Sequence, residues 1–96
     1  MIAAAGPAWA AHQPRAHAAY VVTCHNHNLV GGLVFVTSAR NMSCAAAVRE
    51  EETTLGHSFH SVQRTKHGFV CRPLDRRHHH WRCVKGDRAY RWEYGV

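Results

Sequence analysis

Four cysteines, Cys24, Cys44, Cys71 and Cys83, constrain this 96-residue chain more than any other feature. A chain this short buries only about two-thirds of its unfolded surface, so its core is marginal without help. Large apolar side chains are sparse: the hydrophobic fraction is 46%, but much of it is alanine, beside three Trp, three Tyr and three Phe. Cystines are the obvious remedy, at about 2–4 kcal/mol each. The cysteines are 20, 27 and 12 residues apart with no C-x-x-C pair, which argues against a zinc ribbon or a thioredoxin-like redox motif. Four half-cystines in a small domain point to an oxidising compartment, secreted or cell-envelope.

Secondary structure can be read around them. Tyr20 to Cys24 is β-branched and aromatic, a short strand. Leu29 to Ala39 is a second strand, with Gly31-Gly32 bending its start. Ser43 is a good N-cap for a helix from Cys44 to Glu50, with Cys44, Ala47 and Val48 on one face. The macrodipole disfavours Glu50–Glu52 at the end of that helix, so the helix frays there or runs a little past it. Gly56 to His67 reads as loop, and Gly68 to Arg72 as a strand closed by Pro73.

His80 to Lys85 and Arg88 to Tyr94 form the clearest hairpin, turning on Gly86-Asp87 with glycine first, as a type II′ turn requires. Its register sets Cys83 opposite Tyr90 and Trp81 opposite Trp92, with these residues and Tyr94 facing the core. His80, Arg82, Val84, Arg91 and Glu93 take the other face. The expected fold is α+β: a small antiparallel sheet with one helix packed on one face, stapled by disulfides. Cys44, Cys71 and Cys83 all point inward. Of the three possible pairings, the one with Cys24–Cys44 is disfavoured, because a hairpin of the first two strands would leave those residues at opposite ends; Cys44–Cys71 with Cys24–Cys83 is preferred, and the connectivity stays open.

The amino terminus, MIAAAGPAWA, is apolar and small, with cleavage-like Ala8-Trp9-Ala10 and Ala16-His17-Ala18. Residues 1–18 read as a signal-peptide remnant or disordered tail, and 19–96 as one domain. No run approaches the roughly 20 apolar residues of a membrane-spanning helix.

The segments Ala39-Arg40-Asn41-Met42-Ser43-Cys44-Ala45-Ala46-Ala47, Gly68-Phe69-Val70-Cys71 and Arg82-Cys83-Val84-Lys85-Gly86-Asp87-Arg88-Ala89-Tyr90 resemble a pattern in small secreted proteins of high-GC actinobacteria. The resemblance covers just over half the chain. It implies export and cystines, and it carries no known activity with it. The histidines and the Glu50–Glu52 run depart from that group's arginine-rich helix.

Charge is the functional clue. The net charge is +6, and residues 61–96 hold all of the excess, with nine Lys/Arg against three Asp/Glu. That favours an acidic partner: an acidic protein, an anionic envelope polymer or nucleic acid. The leading expectation is a non-enzymatic secreted binding domain, with no cofactor, that uses Arg82, Lys85, Arg88 and Arg91 on the hairpin. A second reading is copper or zinc binding by histidine, through the run His78, His79 and His80, with His25, His27, His57 and His60 elsewhere. The triple run also suits adventitious metal binding. A third reading is a small secreted ribonuclease using His80, Arg82, Arg91 and Glu93, which supply an acid, a base and a phosphate clamp. The aromatics face the core, which weakens a stacking platform for nucleic acid. Asn41-Met42-Ser43 is formally a glycosylation sequon, although its place before a helix cap explains it better.

Overall fold

The computed structural model describes residues 19–25, 33–54 and 62–95. The elements are β1 (Val21–Thr23), β2 (Val34–Arg40), α1 (Cys44–Glu51), β3 (Gln63–Arg64), β4 (Val70–Pro73), β5 (His80–Lys85) and β6 (Arg88–Tyr94). The strands form one six-stranded antiparallel sheet in the order β1-β2-β6-β5-β4-β3. The α+β class holds, but with more sheet than expected: β3 lies in a stretch read as loop. It is only two residues long, too short for a periodicity signal. The readings on residues 1–18, Gly31-Gly32, His27, His57 and His60 fall outside the described residues.

The β5–β6 hairpin has the expected register, with Trp81 opposite Trp92 and Cys83 opposite Tyr90. Gly86 has φ +61° and Asp87 has no positive φ, the pattern of a type II′ turn. Trp81 and Trp92 stack with centroids 5.2 Å apart and planes 4° from parallel. They form the core with Val34, Val36, Phe69 and Tyr90. Pro73 closes β4 beyond the reach of β3, which pairs only with Val70 and Cys71, so its missing N–H disrupts no ladder on that side.

An eight-residue helix is not stable alone. This one is fixed at both ends. Ser43 caps the start, its Oγ accepting from the Ala46 amide at 3.0 Å. Ala47 is fully buried against the sheet, with Cys44 and Val48 beside it, as the spacing predicts. At the far end the acidic run does not fray into solvent. Glu51 is fully buried and accepts a 2.7 Å hydrogen bond from the Tyr90 hydroxyl.

The expected cystine pairs are wrong: the bridges are Cys24–Cys44 and Cys71–Cys83. Cys24 is not at a remote hairpin end, because its amide donates to Thr37 in the middle of β2. The chain reverses over Asn41–Ser43 and lays the helix start back along β2, which brings the Cys24 and Cys44 Cα atoms to 5.6 Å. Cys71 and Cys83 are direct cross-strand partners on β4 and β5. That register leaves Cys71 far better placed for Cys83 than for the helix.

Asn41 holds the reversal. Its φ is +55°, a conformation that asparagine tolerates better than most residues. Its Oδ1 accepts from the Tyr20 amide at 3.0 Å, and its Nδ2 donates to the Asp87 carbonyl at 2.8 Å. The formal sequon is therefore a structural joint between β1, β2 and the hairpin turn.

Candidate functional site

The sheet has two unlike faces. The helix, Phe69 and the indoles pack on the inner one. On the outer one, strand alternation sets a file of arginines in direct cross-strand register: Arg72 on β4, Arg82 on β5 and Arg91 on β6. Arg40 on β2 and Arg64 on β3 stand on the same face in the neighbouring row, by the register that joins them through Ala89, Val84 and Val70. Like charges directly opposite destabilise a sheet. Among the described residues, no carboxylate forms an ion pair with Arg72, Arg82 or Arg91; the ion pairs there all involve His67 or His80. Shallow hollows run along this face. One of about 290 Å³ is bordered by Arg40, Arg82 and Arg91, and one of about 510 Å³ by Arg72 and Arg82.

The four cations expected to act together therefore separate. Arg82 and Arg91 are on the outer face. Lys85 and Arg88, at the turn end of the hairpin, have the parity of Cys83 and Tyr90 and lean to the helix side. There the Arg88 guanidinium sits 5.4 Å over the Phe69 ring, a cation–π contact. Both border a cleft of about 540 Å³ with Arg49, Glu50 and His67. The reason is the period of two: residues 82 and 85 cannot share a face of a regular strand. Sequence reasoning missed Arg72 and Arg40, which lie outside the hairpin; only the strand order brings them in.

The histidine run does not converge either. His78 lies edge-on to Trp81, its carbonyl accepting from the indole N–H at 2.6 Å. His79 packs near Tyr94. His80 Nδ1 is 2.8 Å from Asp75 Oδ2, and its Nε2 is 3.7 Å from Glu93 Oε1. Asp75 organises this connection, because its Oδ1 also accepts from the His79 amide at 2.8 Å. That hydrogen bond with His80 is the main reason the Asp75 carboxyl falls to about 2. The same bond, with the charges of Glu93 and Asp75, lifts His80 above its ordinary value against the opposing effect of burial.

A second histidine–carboxylate pair lies on the helix side. Glu50 accepts from the His67 amide at 3.0 Å and lies 2.8 Å from its Nδ1. Burial would raise the Glu50 carboxyl, but hydrogen bonds from Thr65 and His67 outweigh it and hold it below the ordinary value. Among the described residues one group, Glu51 with Cys71 and Cys83, brings three metal-ligating atoms within 4.8 Å of one another. Both sulfurs are joined in the cystine, so that group holds no thiolate. No helix among the described residues is long and apolar enough to cross a membrane.

No family model, curated protein or solved structure matches this chain.

Proposed function

We propose that this is an exported, cystine-stapled binding domain whose outer sheet face holds an extended phosphate-bearing polymer laid across the strands. The observation that carries the reading is the Arg72–Arg82–Arg91 file, cations set side by side without carboxylate partners among the described residues. Neighbouring strands are about 4.8 Å apart, so the file presents one guanidinium per strand along a line. A polyanion offers charges along such a line and relieves the repulsion between the arginines. Guanidinium also suits phosphate, because its planar fork binds two oxygens at once. Two cystines agree with life in an oxidising compartment.

A fluorescent single-stranded 2′-O-methyl oligonucleotide provides a phosphodiester chain for the test. Its affinity should fall with salt, with a log–log slope of about −2 if three phosphates are neutralised. Replacing Arg72, Arg82 and Arg91 with Ser should flatten the slope and weaken binding at least about tenfold at low salt. Unchanged affinity in that variant would refute the assignment.

A further inference from the structure

Beside the arginine file, on the same outer face, runs a second cross-strand row: Phe35 on β2, Glu93 on β6 and His80 on β5. Phe35 is an aromatic outside the buried core. It is half-buried, and its ring lies so close to Gly95 that a β-carbon there would meet it at 2.5 Å. His80 is aimed by Asp75, which leaves Nε2 facing the Glu93 carboxylate. The His80 and Glu93 side chains are 54% and 45% exposed, so they are free to part for a ligand. They border a hollow of about 340 Å³ together with Asp75, Thr37 and Arg91. A base, an acid, a guanidinium and a stacking ring thus stand in two adjacent rows.

We propose that this corner cleaves single-stranded RNA by internal transphosphorylation. The proposal rests on the reading of the outer face as a polyanion-binding surface. The Glu93 carboxylate takes the proton of a ribose 2′-hydroxyl. The 2′ oxygen forms a bond to the adjacent phosphorus, and the bond from phosphorus to the 5′ oxygen breaks. The departing oxygen keeps the electron pair and takes a proton from His80 Nε2. The products are a 2′,3′-cyclic phosphate and a 5′-hydroxyl. Glu93 is left protonated and His80 neutral, and a proton passed across their 3.7 Å gap restores both. Arg91, two residues before Glu93 on the same face, and its partner Arg82 meet the charge that builds on the phosphate oxygens. Phe35 stacks a base, which is sequence-tolerant recognition. Asp75 is a positioning residue: it holds the His80 ring and favours its protonated form.

The test uses the full chain with its cystines intact and an RNA oligonucleotide matched to the 2′-O-methyl probe. Cleavage should yield a 2′,3′-cyclic phosphate by mass spectrometry, with a bell-shaped pH profile. Glu93→Gln and, separately, His80→Gln should lower the rate at least about 100-fold. Both should stay folded and bind the 2′-O-methyl probe within about twofold of wild type, with Glu93→Gln keeping the wild-type melting temperature and His80→Gln losing only the small share of its pairing with Asp75. If His80→Gln disturbs the turn, Glu93→Gln alone carries the test. Asp75→Asn should move the alkaline limb to lower pH, which loss of fold would not do. Intact RNA beside normal probe binding would overturn the proposal, as would Glu93→Gln protein that cuts as fast as wild type. Failure to bind the probe at all would instead overturn the polyanion reading.

Discussion

The two faces of this sheet solve opposite problems with the same kinds of residue. On the helix side the carboxylates are buried and matched: Glu51 meets the Tyr90 hydroxyl and Glu50 meets the exposed His67, while the exposed Arg88 lies over Phe69. On the outer side charge is exposed and, along the arginine file, crowded with its own kind. The first arrangement raises stability. The second lowers it slightly, and a sheet keeps such a feature more readily for a ligand than for folding. The histidine–carboxylate pairs show the same contrast. His67–Glu50 ties a loop to the helix end, whereas His80, between Asp75 and Glu93, stands in an open hollow.

The comparison breaks first if the inner face is not the source of stability. Trp92→Ala should cost about 3–5 kcal/mol in urea unfolding, because it removes half of the indole stack from the core. Next, Tyr90→Phe should destabilise by about 1–3 kcal/mol, since it takes a hydrogen-bond donor from a buried carboxylate. The Tyr90 phenol is itself pushed up, first by burial and then by the charge of Glu51, so it stays protonated across the physiological range. A neutral result for Tyr90→Phe would mean that the Glu51 carboxyl gains nothing from it.

The smallest effect is on the outer side and depends on pH. His80 is raised above 6.5, so its pairing stabilises fully below that value and is lost as pH rises through the folded-state pKa. Asp75 is depressed from 3.8 to about 2, so its share is present above 3.8 and lost as pH falls towards 2. The pair is therefore at full strength between about pH 4 and 6.5. NMR titration should place the His80 midpoint above 6.5, and Asp75→Asn should bring it down. An unmoved midpoint would remove Asp75 from its positioning role.

The local patterns were readable from residues alone. Alternation around Gly86-Asp87 gave the hairpin register, and Ser43 marked the helix start, because both are short-range effects. Long-range placement was not readable. The Cys71–Cys83 bridge depends on the register of β4 against β5, and Cys24–Cys44 on a reversal at Asn41 whose positive φ no pattern announces. Glu51 did leave a signal: it falls at helical spacing after Cys44 and Ala47, on the buried face, but its charge argued for solvent until Tyr90 supplied a partner. On the outer face His80, Arg82, Arg91 and Glu93 were legible as one set. Arg72, Asp75 and Phe35 joined them only through strand order and the β4–β5 turn.

The central claim is that binding belongs to the outer face and not to basic charge in general. Two double variants, Arg82→Ser/Arg91→Ser and Lys85→Ser/Arg88→Ser, remove the same formal charge from the same hairpin. The deciding measurement is their affinity for the 2′-O-methyl oligonucleotide at low salt, beside the wild-type chain. The outer-face variant should lose at least about tenfold in affinity and keep its fold, while the helix-side variant stays within about twofold of wild type. Equal losses in the two would contradict the account, since binding would then follow net charge rather than the face that carries it.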